Sequence, residues 1–254
     1  MRAKMDQKTP LLLVLLLFGF NCQAWCQEAI NPAPSEKKKE VEKKTGDLLI
    51  GAEAPDFTLT DALGKEFRLS DHSDKIVVLE WISPDCPFSK RLYIQLKIPT
   101  LARQYIEKGV VWVTMTSDWY SHPINLKKWL EARGISYPML LDKDGKVGES
   151  YHATSTPEFY VIDRGKVVYH GALDDDIWGR KSQRTEFLAN ALEQLTSGKK
   201  VNPQSSRLYG KTIRYLAEEL ERKARLEELR RKAREAQEKA EKEKAEKSTS
   251  GEGG

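Results

Sequence analysis

Apolar and polar positions change rhythm several times along this chain, and each change marks an element. Phe57 and Leu59, then Phe67 and Leu69, alternate with polar neighbours on either side of Gly64, the pattern of a half-buried hairpin. Ile76 to Ile82 is apolar except for Glu80, which predicts a buried strand. Leu92, Leu96, Leu101, Tyr105 and Ile106 form a stripe that predicts a helix from Pro87 to near Lys108, kinked at Ile98-Pro99. Val110 to Met115 predicts a second buried strand. Pro123 to Arg133 predicts a second helix, with Leu126, Trp129 and Leu130 inward and Gly134 as its stop. A short strand at Pro138 to Leu141 leads through the Asp142-Lys143-Asp144-Gly145 turn into a short helix over Val147 to His152. Strands at Glu158 to Asp163 and Lys166 to His170 flank a tight Arg164-Gly165 turn, and a last helix is expected over Ser182 to Leu195. Strands alternating with helices predict an α/β domain with parallel central strands.

Both ends depart from this rhythm. Arg2, Lys4 and Lys8 precede a short apolar run, Leu11 to Phe20, which reads as an export signal over residues 1–26 and is short for a membrane span. The expected location is therefore periplasmic or cell-envelope, with membrane contact only if the signal is uncleaved or lipidated. Cys22 and Cys26 lack the Leu-x-small context of a lipidation site. Residues 27–50, rich in Pro, Lys and Glu, predict a disordered linker. The folded domain is expected over 51–198, followed by a connector over 199–211. Residues 212–247 predict one long charged helix with favourable pairs such as Glu219–Lys223 and Glu227–Arg231, and 248–254 a frayed tail. Leu226, Leu229, Ala233, Ala236 and Ala240 step by three and four. That spacing could seat a weak coiled coil with a protein partner, but alanine buries little there. The 42 basic and 38 acidic residues are mixed within the same segments, which gives no case for nucleic acid.

The chemistry centres on Cys86. Ser83-Pro84-Asp85 ends the first buried strand, and Pro87 suits a helix's first turn, where its missing N–H costs nothing. A cysteine at that junction meets unpaired backbone N–H groups and the positive end of the helix dipole, both of which favour the attacking thiolate. Of three cysteines, two lie in the signal region, so the mature domain is expected to keep one thiol and no internal disulfide.

This strand–Cys–Pro–helix layout, together with Ala54-Pro55-Asp56-Phe57-Thr58-Leu59 and the later Thr156-Pro157 before a hairpin, resembles the thioredoxin-like superfamily. Its redoxin and AhpC/TSA-type branches are the nearest in pattern. The resemblance covers roughly Gly51 to Leu195. It implies a thioredoxin-like fold, a central mixed β-sheet flanked by helices, here with a long charged C-terminal helix. It implies a cis-proline at Pro157 packed against the active cysteine. It also implies a buried acid at Glu80, six residues before Cys86, as the proton shuttle. Thr156, Trp81, Ser83, Pro87 and Ser89 are the expected substrate-binding surround. Two positions depart from the family. Ser89 stands where the second thiol belongs, so Cys86-Pro87-Phe88-Ser89 is C-x-x-S, and Asp85 replaces the usual tryptophan. The patch Leu208 to Tyr215 resembles a segment of some exported thioredoxin-like proteins that carries a cysteine after Tyr-Gly; here Lys211 holds that place.

Three functions follow in rank order. The first is thiol–disulfide exchange through a single cysteine, with protein thiols or disulfides, or an external reductant, as partners. The second is peroxide reduction: Ser83 sits where peroxiredoxins place a Thr or Ser and Arg91 could polarise a peroxide, but Leu79 stands where they carry proline. The third is an inactive scaffold. No cofactor is implied. Asp174-Asp175-Asp176 lacks regular ligand spacing and is expected to be a solvated loop, and the scattered His72, His122, His152 and His170 match no zinc pattern. The redox readings require a sulfur that stays reachable.

Overall fold

The apolar run at Ile76 becomes the middle of a five-stranded sheet. The computed structural model describes residues 46–95 and 97–250; the expected signal, most of the linker and the end of the tail lie outside them. In chain order the elements are β1 (Thr58–Thr60), β2 (Glu66–Arg68), β3 (Ile76–Trp81), α1 (Pro87–Ile94), α2 (Lys97–Ile106), β4 (Val111–Thr116), α3 (Pro123–Glu131) and β5 (Met139–Leu141). Then follow α4 (Lys146–Ser150), β6 (Ser155–Thr156), β7 (Glu158–Asp163), β8 (Lys166–Gly171), α5 (Phe187–Thr196), β9 (Lys211–Thr212) and α6 (Leu216–Ser250). The main sheet runs β5-β4-β3-β7-β8. β3 pairs parallel with β4, and β4 with β5, while β7 and β8 run antiparallel to their neighbours. The sheet is thus mixed, as expected. β1 and β2 form the predicted hairpin.

The two-residue period of β3 divides the core. Val78 and Ile82 point into a cluster with Leu92 and Tyr93 of α1, Ile98 and Ala102 of α2, Leu126 of α3 and Leu192 of α5. Val77, Leu79 and Trp81 point the other way, among Phe57, Phe67, Tyr151 just after α4, Tyr160, Ile213 and Tyr215. Full burial of such side chains stabilises by roughly 1.5–3 kcal/mol each before chain entropy is counted. The cost of ordering the chain offsets most of that sum.

Three expectations need correction. The long helix after Cys86 is two helices, broken ahead of Lys97 rather than kinked at Pro99. Proline has no N–H to donate to the carbonyl four residues back, so the chain restarts and Pro99 falls in the first turn of α2, where no donor is needed. α5 begins at Phe187, not Ser182, because Thr185 N–H is held by the Asp175 carboxylate in an extended loop. The charged helix begins at Leu216 rather than Thr212, because Lys211–Thr212 pairs with β6 instead.

Candidate active site

Cys86 is the N-cap of α1, in extended conformation with φ −75° and ψ 121°. Its backbone is fixed by Cys86 N–H to the Ser83 carbonyl at 3.0 Å and Lys90 N–H to the Cys86 carbonyl at 2.9 Å. Pro87 occupies the first turn and is exposed. The Cys86 Sγ accepts from the Ser89 backbone N–H at 3.5 Å and donates to the Thr156 carbonyl at 2.9 Å. The Thr156–Pro157 bond is cis. Two loops remote in sequence therefore meet at one sulfur. The Ser89 side chain is completely buried, and its hydroxyl has no hydrogen-bond partner among the described residues.

Glu80 lies on the α1 face of β3 and is completely buried. Its Oε1 accepts from Tyr93 O–H and its Oε2 from Trp112 Nε1–H, each at 2.9 Å. Burial pushes its pKa up to about 8, against the lowering effect of those two donors, so the carboxyl holds a proton at neutral pH. Tyr137 O–H reaches Tyr93 at 3.4 Å and extends the chain of hydroxyls. Neither oxygen of Glu80 bonds to Cys86 or Ser89. This protonated carboxyl is held by Tyr93 and Trp112, with Tyr137 behind Tyr93, three aromatic residues that sequence reading missed. The only available signal was that Tyr93 lies on the inward face of α1, seven residues after Cys86.

The remaining expected site residues divide. Thr156 and Pro157 are buried beside the sulfur. Ser83 is buried, accepting from Asp85 N–H at 3.3 Å and lying 3.5 Å from the Tyr120 hydroxyl. Trp81, expected at the substrate surface, is completely buried on the opposite face of β3, with its indole N–H on Ser117. Strand alternation sets that outcome: Glu80 and Trp81 cannot share a face. Asp85 turns outward, its side chain 56% exposed, with the Arg214 guanidinium 4.0 Å away. Arg91 donates to the Asp176 and Ile177 carbonyls at 2.9 and 3.1 Å, so it braces a loop.

Two buried polar clusters frame the sulfur. Glu158, next after Pro157, accepts from the N–H groups of Thr154 and Ser155 and from Tyr160 O–H, each at 2.9 Å. It also meets His170 Nε2 at 2.9 Å, and His170 Nδ1 lies 2.6 Å from Asp47. Burial works against a charge on His170, but the two carboxylates outweigh it and hold its pKa above the usual imidazole value. On the other side, Asp174 is completely buried rather than solvated. It accepts from Tyr209 O–H at 2.9 Å and Asp176 N–H at 3.0 Å and pairs with Lys97 at 3.4 Å. No group of three metal-ligating side chains occurs among the described residues.

The sulfur itself is covered. Cys86 is 0% exposed, which corrects the expectation of a reachable sulfur: in this conformation no partner can touch it. Against Thr154–Pro157, whose Thr156 carbonyl accepts from the sulfur, runs the chain from Tyr209 to Ile213. Thr156 pairs with Lys211 and Ser155 with Thr212, antiparallel. Ile213 N–H bonds to the Thr154 carbonyl at 3.1 Å.

Comparison with known proteins agrees with this geometry. Residues 50–170 match the AhpC/TSA family. The thiol-disulfide oxidoreductase ResA of Bacillus thuringiensis subsp. konkukian is 31% identical over 127 residues, 47% of this chain and 67% of that protein. An uncharacterized conserved protein from Geobacillus kaustophilus is 35% identical, with a TM-score of 0.60 over 65% of this chain and 92% of its own. A hypothetical protein from Sinorhizobium meliloti 1021 is 29% identical, with a TM-score of 0.60 over 66% of this chain and 95% of its own. With a cysteine capping a helix against a cis Thr-Pro, on a mixed sheet of this order, the chain belongs to the AhpC/TSA family of thioredoxin-like redoxins.

Proposed function

We propose that this protein exchanges disulfides with other proteins through one cysteine, Cys86. The observation that carries the reading is the sulfur's position, bonded at once to the Ser89 N–H of α1 and to the Thr156 carbonyl. That is where an attacking thiolate and an extended partner chain would meet. In the step proposed, Cys86 first loses to solvent the proton it shares with the Thr156 carbonyl, and the resulting thiolate attacks one sulfur of a partner disulfide. The partner S–S bond breaks, a Cys86–partner bond forms, and the departing sulfur takes a proton. Ser89 cannot complete the cycle, so a second thiol, from the partner or an external reductant, must release the mixed disulfide. Thr156, Pro157 and Pro87 border the docking site, and Ser83 shapes the turn into it. Glu80 is assigned as the proton reserve, and Trp81 as a core residue beneath the site.

The AhpC/TSA relationship leaves peroxide reduction as the rival. Arg91 speaks against it, because its guanidinium braces the Asp176–Ile177 backbone instead of facing Cys86. Export to the periplasm or cell envelope remains part of the proposal, supported by the basic start and apolar run of residues 1–26. No described helix is long and apolar enough to cross a membrane. The deciding experiment compares oxidants by stopped flow. Hydrogen peroxide should oxidise Cys86 no faster than a free thiol, while a peptide disulfide should yield a Cys86 adduct. A peroxide rate many orders of magnitude above that of a free thiol overturns the assignment.

A further inference from the structure

An extended chain already lies on the edge where a partner would dock, and it is the protein's own. β9 pairs antiparallel with β6, placing Lys211 opposite Thr156, whose carbonyl accepts from Cys86 Sγ. Gly210 comes so close that a Cβ there would overlap the Thr156 carbonyl oxygen and lie 3.3 Å from Pro157 N. Its φ of 151° also favours glycine. The segment is pinned at both ends. Tyr209 lays its ring on Phe88 of α1, centroids 5.9 Å apart, and bonds to buried Asp174. Tyr215 is buried against Gly145 and Gly148 and donates to the Ala153 carbonyl at 2.7 Å. Between them Arg214 N–H bonds to Asp118 at 2.9 Å, and the Arg214 guanidinium lies over the Tyr120 ring at 4.1 Å.

We propose that Tyr209–Ile213 is a built-in occupant of the partner-chain groove, so that the protein covers Cys86 until this strap lifts from Ser155–Thr156. The inference rests on the thiol-exchange reading and adds the form of the partner. An incoming chain replaces the strap as an added antiparallel strand, giving its backbone to Ser155 and Thr156. It offers an aromatic side chain for the Phe88–Asp174 pocket, followed by a small residue over the Thr156 carbonyl. Lys211 makes the strap a resident that cannot react, since an amine forms no disulfide.

The test measures access to Cys86 by iodoacetamide on the full chain. The unaltered protein should alkylate at least tenfold more slowly than the same chain in urea. Gly210→Val, whose side chain cannot fit over Thr156, should raise the folded rate at least tenfold. If the variant does not fold, the unaltered protein still decides the matter by hydrogen exchange. Alkylation and exchange at Ile213 N–H should report the same opening equilibrium, well above that of β3 amides. Cys86 alkylating at the free-thiol rate while Ile213 stays protected overturns the strap, as does Cys86 opening only with β3. These failures leave the thiol reading intact. A Gly210→Val protein that alkylates fast yet never forms a mixed disulfide with oxidised glutathione does the reverse: it supports the strap and removes the exchange function.

Discussion

Glu80 holds its proton because a carboxylate there would be stripped of water with only two donors to compensate. Its pKa rises from 4.5 to about 8. Between those values the folded chain binds more protons than the unfolded chain. Stability is therefore full below the lower value and falls as pH rises through the upper one, by at most about 1.4 kcal/mol per pH unit. Glu80→Gln, a neutral mimic, should remove this slope. Urea melts between about pH 5 and 6 isolate it, since His170 is then protonated in both states. Parallel slopes in parent and variant contradict the assignment. His170 has the same sign at higher pH: its pKa is raised, so its contribution is complete below 6.5 and disappears as pH climbs through its folded value. Glu158→Gln leaves His170 only half-exposed Asp47 as a counter-charge. It should cost about 3 kcal/mol in urea unfolding; a loss under 0.5 kcal/mol would mean the pair is not organising the loop.

The turn from β3 into α1 was readable in the chain because each part has its own local signal. These are a strand of β-branched and aromatic residues, a Ser-Pro-Asp break, a cysteine cap and a proline at the first helical turn. The hairpin at Gly64 was readable for the same reason, whereas the cis bond at Thr156–Pro157 was legible only through the family resemblance. What escaped was whatever depends on partners distant in sequence. The side of β3 taken by Glu80 follows from alternation, but its donors come from α1 and β4. The three aspartates looked solvated because nothing local announces that Tyr209 and Lys97 reach back to Asp174. At this scale the C-x-x-S spacing makes a direct prediction. Ser89 lies in the turn that Cys86 caps, with its N–H 3.5 Å from the sulfur. Ser89→Cys should therefore close a disulfide within α1's first turn on mild oxidation, so that the peptide carrying positions 86 and 89 loses both its free thiols. Both thiols of that peptide persisting under conditions that oxidise dithiothreitol contradict that geometry.

For the whole molecule, α6 leaves the domain as a solvated helix. Its described side chains from Leu220 onward are exposed, Leu220, Leu226 and Leu229 included. Its ion pairs, such as Arg222–Glu219 and Lys232–Glu228, lie within the helix. Ending the chain after Glu227 should shift the unfolding free energy of the domain by less than about 0.5 kcal/mol, read from the urea midpoint; a larger loss would show that the helix braces the domain. The residues just before α6 behave otherwise, because Ile213 and Tyr215 belong to the core. Sequence reading divided this patch between a connector ending at 211 and the start of the charged helix. The pairing with β6 that makes it a strand joins residues more than fifty positions apart, and no local pattern encodes that.

The central claim is that Cys86 forms a mixed disulfide it cannot resolve alone. Intact-mass analysis of the reduced protein after incubation with a cystine-bridged peptide tests it most directly. The account predicts a single peptide adduct on Cys86 that survives removal of excess peptide and is released only by added thiol. A folded protein whose Cys86 becomes alkylated by iodoacetamide over the same period, yet forms no peptide adduct, would contradict it.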